Sequence, residues 1–221
     1  ILPESLFTID NKAFKGCSNL KSLFLPKNLK FLGIDVFKGC ASLDQLSVSP
    51  QNGNFHVVTG MLVDKDMVLI CACPSIKGEI QIPDGIVKIG NKAFNGCTSV
   101  LSIKISVSVK AIEYKSFNKC SSLVSVLMNN NLERIGEKAF ACCSNLKSIS
   151  LPDSVIYMGS HIFDSCEKLV AFTASKNLVK ISSFAFDNCS KLDTVVLNDG
   201  LKVIQEFAFE LCQSLSSIIV P

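Results

Sequence analysis

Two histidines and eleven cysteines are the residues of this 221-residue chain best suited to chemistry. Acid–base catalysis needs an imidazole within hydrogen-bond reach of its partner. His56 and His161 lie several repeating units apart, so no rigid array brings them together. The chain has no Gly-x-Ser-x-Gly elbow, Gly-rich phosphate loop or His-Glu-x-x-His helix motif. Glu4 and Asp10, or Asp64 and Asp66, read as solvated surface charge rather than paired catalytic carboxylates. We therefore predict no catalytic, cofactor-binding or metal-binding residues, and a chain that is not an enzyme.

Eleven cysteines in a small secreted protein suggest a disulfide framework. Their spacing argues against one. Cys17, Cys40, Cys97, Cys120, Cys143, Cys166, Cys189 and Cys212 occupy equivalent slots, each one repeat from the next except across the long unit between Cys40 and Cys97. Stacked at about the 5 Å spacing of adjacent strands, their side chains point the same way. A disulfide needs Cβ vectors that face each other, and a metal needs ligands that converge. The eight read as buried thiols acting as small hydrophobes. Cys71, Cys73 and Cys142 fall off this ladder. A single Cys-x-Cys without a neighbouring His reads as packing. Cys142 is expected near the surface, where a thiol is prone to oxidation. The sequon Asn188-Cys189-Ser190 contains a ladder cysteine, so it is not expected to be glycosylated.

The elements that set these positions follow from a period. Phe14, Phe37, Phe94, Phe117, Phe140, Phe163, Phe186 and Phe209 are separated by 23 residues, except for one step of 57, which is 23 + 34. Such a period predicts a solenoid. Leu20-x-x-Leu23-x-Leu25-x-x-Asn28-Leu29 fits the leucine-rich-repeat signature. Alternation at Leu23 and Leu25, or Ile149 and Leu151, predicts a short strand with one buried face. Pro26, Pro83 and Pro152 follow the strands, where a missing N–H does little harm. The return, Ile89-Gly90-x-x-Ala93-Phe94-x-x-Cys97, has apolar spacings that suggest a helical turn. The expected fold is therefore an α/β leucine-rich-repeat solenoid. It has a curved parallel sheet inside and short helical turns or irregular returns outside. Neighbouring units stack Ile, Ala, Phe, Cys and Leu into continuous columns.

Residues 48–81 form the odd unit, 34 residues long. Its apolar runs flank Thr59-Gly60 and Asp64-Lys65-Asp66, which predicts a β-hairpin. We read 1–221 as a single array carrying one irregular repeat, not as two domains.

The pattern closely resembles the BspA-like, treponemal-type leucine-rich repeats, on residues 82–103 (IPDGIVKIGNKAFNGCTSVLSI) and 151–172 (LPDSVIYMGSHIFDSCEKLVAF). Eight in-phase copies carry the resemblance along the whole chain. Local departures are Ser116 and Ile162 in the Ala slot, Met158 in the Ile slot and Ala174 in a strand Leu slot. The resemblance implies adhesion at a cell surface, through host matrix proteins, epithelial cells or other microbes.

Composition narrows the partner. A net charge of +3 predicts no nucleic-acid partner, and no apolar run approaches a membrane span. The inner sheet offers two outward rows. One is small and polar, including Ser22, Ser102, Ser125 and Ser148. The other supplies the candidate protein-binding residues Phe24, Lys104, Leu127, Thr173, Val196 and Ile219, with apolar members able to anchor a partner. Lys30, Lys88, Lys110, Arg134, Lys180 and Lys202 form a basic row that suits an acidic glycan, an acidic protein surface or simple solubility. The expected location is the cell surface or extracellular space. Unpaired cysteines equally suit a cytoplasmic scaffold. A third possibility is a targeting module for an enzyme domain elsewhere in a longer protein.

Overall fold

A computed structural model describes residues 2–220. Each coil has three sides: a longer strand, a two-residue strand and a run of turns. The longer strands stack in parallel as three sheets. Ser22–Leu25 pairs with Gln45–Val48; Gly78–Gln81, Val100–Lys104 and Ser125–Leu127 form the second; Ser148–Ser150, Ala171–Thr173, Thr194–Val196 and Ser217–Ile219 form the third. In-phase residues pair, as in Ile149 with Phe172 and Val195 with Ile218, so the sequence period sets the register. The short strands stack the same way along a second side, as Lys88–Ile89 does with Ala111–Ile112.

The expected helical returns are absent: among the described residues there is no helix, and the fold is an all-β solenoid rather than α/β. Hydrogen bonding explains the difference. Along 90–97 the N–H groups of Ala93, Asn95 and Cys97 donate three residues back, to Gly90, Lys92 and Phe94. Those of Lys92, Phe94 and Gly96 donate instead to Tyr114, Ser116 and Asn118 of the following coil. Alternate donors are thus spent between coils, and none is left for an α-helical ladder. The return is a chain of overlapping β-turns with two left-handed residues, such as Lys138 (φ 56°) and Cys142 (φ 59°).

The predicted columns are present. Phe94, Phe117, Phe140, Phe163, Phe186 and Phe209 stack with ring centroids 5.0 to 5.8 Å apart. Met158 and Ile162 are fully buried in their substituted slots. Ser116, in an Ala slot, is buried too, with its hydroxyl 2.7 Å from the Glu113 carbonyl and 2.9 Å from that of Gly90. Columns open at the two ends of the described residues: Cys17 is exposed, and Ile204 and Ile218 lie half-exposed.

Residues 48–81 carry a three-stranded antiparallel meander, Phe55–Val58, Met61–Asp64 and Val68–Ala72. The first turn is Thr59-Gly60, both left-handed (φ 46° and 75°), as a two-residue hairpin loop requires. Val68–Ala72 joins the short-strand side beside Lys88–Ile89. Met61–Asp64 is a wall between two cores. Met61 and Val63 pack into the larger core, and Leu62 into the smaller one with Phe55, Phe37 and Cys40. No helix among the described residues is long and apolar enough to cross a membrane.

Candidate binding face

Strand alternation builds the candidate face. Leu46, Ile103, Ile149, Phe172 and Val195 point into the core, and the residues on either side of them point out. Leu127 is 62% exposed, Ile219 44% and Phe24 42%. Lys104 is exposed, whereas Thr173 and Val196 are half-covered.

The structure gathers these residues into two groups. Lys104 pairs directly with Leu127. Thr173, Val196 and Ile219 form a continuous row through adjacent pairs. Phe24 lies apart, opposite Ser47 in the separate two-stranded sheet. The polar row alongside holds Ser102 opposite Ser125, and Ser148 opposite Ala171. Such small side chains let a partner's backbone come close.

Two apolar residues of this region escape the period-2 reading. Leu101 sits where the pairing register of Val100–Lys104 shifts against Gly78–Gln81, and it is half-exposed. The same slot holds Lys21, Asp44 and Lys147, all exposed, in other coils, so the repeat itself marks it as outward. Val107, just past the same strand, is 66% exposed.

The basic residues do not share this face. Lys88, Arg134 and Lys180 belong to the short strands. Several are engaged already: Arg134 lies 4.7 Å over the Tyr157 ring, Lys30 5.0 Å over Phe7, and Lys88 Nζ is 3.6 Å from Glu113 Oε1. The apolar rows and the cations therefore address different sides of the solenoid.

The cysteine ladder is internal except at its ends, where Cys17 is exposed and Cys212 half-buried. Six of the eight ladder thiols, all but Cys17 and Cys97, donate to the carbonyl of a Phe in the preceding coil, as Cys143 Sγ does to Phe117 O and Cys166 Sγ to Phe140 O, both at 3.2 Å. Burial pushes the Cys143 and Cys166 thiols well up from their ordinary value, and neighbouring cysteines add to the rise. All eleven cysteines are free. Cys73 is buried and donates to Leu43 O at 2.8 Å. Cys142 is half-buried rather than open, and burial together with Asp164 raises its thiol. Among the described residues no three His, Cys, Asp or Glu side chains are placed to hold a metal ion.

A second polar ladder escaped sequence reading. In the slot after the long strand, the buried Asn129 amide donates to Ser106 O at 2.6 Å and Val109 O at 3.0 Å. Asn198 does the same to Ser175 and Leu178. Pro26, Pro83 and Pro152 occupy that slot in other coils, and the mixed residue types conceal a shared role.

Comparison with known proteins matches this geometry. The family model for the BspA type leucine rich repeat region fits six copies, over residues 1–56, 71–178 and 134–221. The chain belongs to the BspA-type leucine-rich-repeat family. Residues outside the matches fall within the meander and its turns. No curated protein matches significantly. Among solved structures, a leucine rich cell surface protein from Faecalibacterium prausnitzii A2-165 is 26% identical, with a TM-score of 0.79 over 88% of this chain and 52% of that one. The pneumococcal vaccine antigen PcpA is 27% identical, with a TM-score of 0.78 over 91% of this chain and 50% of its own. A Treponema pallidum leucine-rich-repeat protein shares the fold, at 24% identity and a TM-score of 0.59 over 78% of this chain and 82% of that one. The BspA-type chain spans about half the length of the first two.

Proposed function

We propose that this BspA-type chain is the partner-binding module of a cell-surface protein, one array over 1–221, with no catalytic role. It docks a protein partner, from host extracellular matrix or an epithelial surface, on the long-strand side. The observation that carries this reading is the exposed Leu127 beside Lys104, with the row Thr173, Val196 and Ile219 further along the same side. Exposed apolar anchors among small polar side chains suit a protein surface. Surface placement draws support from the Faecalibacterium cell surface protein and the pneumococcal antigen.

The test is binding of the purified chain to immobilised matrix proteins and to sulfated glycans, with Leu127→Glu in parallel. A protein partner whose affinity drops about tenfold or more supports the assignment. Equal binding by the variant removes the row from the account. Binding only to glycans, abolished by salt, moves the site to the short-strand cations.

One observation favours a second reading. Eleven free cysteines suit a reducing compartment. In that reading the same side serves a cytoplasmic scaffold, and the location of the full-length protein separates the two.

A further inference from the structure

The meander interrupts the inter-coil ladder of the returns. In six returns the alternate N–H groups reach carbonyls of the next coil; Lys12, Phe14 and Gly16, for example, donate to Ile34, Val36 and Lys38. The in-phase donors of the second coil are Asp35, Phe37 and Gly39. Among the described residues none of the three has an acceptor. The coil that should receive them is replaced by the meander. Across the gap, the carbonyls of Asn91 and Asn95 are in phase with Tyr114 and Asn118, which accept such bonds elsewhere, and they receive none, while Ala93 O between them accepts from Ala72 N at 2.8 Å. Between the two walls lies a cleft of about 1040 Å³. That is at the upper end of ordinary ligand sites. One clasp crosses it: Asp35 meets Lys92 Nζ at 2.6 Å and Asn95 Nδ2 at 3.2 Å.

We propose that this cleft is a peptide-binding site, taking an acidic segment of a partner protein as a substitute for the missing return. Donors line one wall and acceptors the other. A ligand that satisfies both needs acceptors on one edge and donors on the opposite edge, which is what a polypeptide backbone presents. Charge selects its sequence. The carboxylates Asp35 and Glu113 at the cleft are already paired, with Lys92 and Lys88. Lys38 and Lys77 line the cleft, are exposed and have no ion-pair partner among the described residues. The surplus is positive and favours carboxylates. This site is separate from the long-strand side.

The probe is a blocked peptide with the sequence of residues 204–214 of this chain, a return that carries Glu206 and Glu210. Amide exchange comes first. In the free protein Phe37 and Gly39 should exchange about a hundredfold faster than Phe140 and Cys142, whose N–H groups are bonded. Equal protection means the donors are already satisfied, and overturns the proposal. Titration of the labelled protein, followed by amide shifts, should then give saturable changes confined to 35–39, 77 and 91–97, with exchange at Phe37 and Gly39 slowed. The Lys38→Glu/Lys77→Glu variant, and separately the peptide carrying Glu206→Lys and Glu210→Lys, should each weaken binding about tenfold. No saturation by about 1 mM peptide, shifts centred on the last coil or on Leu127, or indifference to both charge reversals would each refute it.

Discussion

Phe140→Ala probes the element on which the solenoid rests. Its ring is fully buried between Phe117 at 5.2 Å and Phe163 at 5.8 Å, both nearly parallel to it. A phenylalanine buries about 150–250 Å², and at about 25 cal/mol/Å² its removal forfeits roughly 4–6 kcal/mol as an upper bound. Core Phe→Ala replacements cost about 3–5 kcal/mol, which we take as the expected loss. Urea denaturation followed by far-UV circular dichroism gives the measurement, because the chain has no tryptophan. The control is Phe207→Ala. Phe207 stacks on Phe184 at 4.9 Å but is 52% exposed, so its loss should cost about 1 kcal/mol or less. Stability is close to a sum of coil and interface terms in such arrays, so the Phe140 variant should also melt less cooperatively. A Phe140→Ala midpoint equal to the parent's, or one matched by Phe207→Ala, refutes the packing argument.

Three further outcomes follow from the same geometry. With a thiol-specific reagent at neutral pH, Cys17 should react first, Cys142 and Cys212 more slowly, and Cys120, Cys143 and Cys166 only on unfolding, since burial holds the buried thiols protonated; prompt labelling of Cys143 contradicts this. Lys138→Val should cost about 1–2 kcal/mol in urea unfolding, because a β-branched residue is forced to φ 56°; an unchanged midpoint removes the left-handed turn from the account. Burial would raise the Asp35 carboxyl, but hydrogen bonds from Lys92 and Asn95 and the charges of Lys92 and Lys38 outweigh it, and hold the group below its ordinary 3.8. Asp35→Asn should therefore cost about 1–3 kcal/mol above pH 4, and the gap to the parent should close as pH falls through the lowered folded value; a pH-independent gap contradicts the ion pair.

The repeat was legible because its core residues are chemically distinctive. Phe and Cys at a fixed period can be counted, and Leu and Ile alternation marks the strands. The returns misled for a physical reason. Apolar residues four, five and eight after Ile89 lie on one side of a helix, and equally on one side of successive turns. The left-handed residues that decide between them, Lys92, Lys115, Lys138 and Phe184, carry no compositional mark. Glycine at Gly16, Gly39 and Gly96 hinted at one of the two left-handed slots. The outward rows of the long strands followed from period 2, Leu101 keeps the outward slot that holds Lys21, Asp44 and Lys147 in other coils, and Val196 is half-covered. The cleft at the meander was illegible, because it arises from hydrogen bonds that the irregular unit fails to make.

We propose that the long-strand face works outside the cell. Antibody labelling of intact source cells for the full-length protein tests it directly. We predict labelling without permeabilisation, and its loss after surface proteolysis. Labelling that appears only after permeabilisation contradicts the account and leaves the cytoplasmic scaffold in its place.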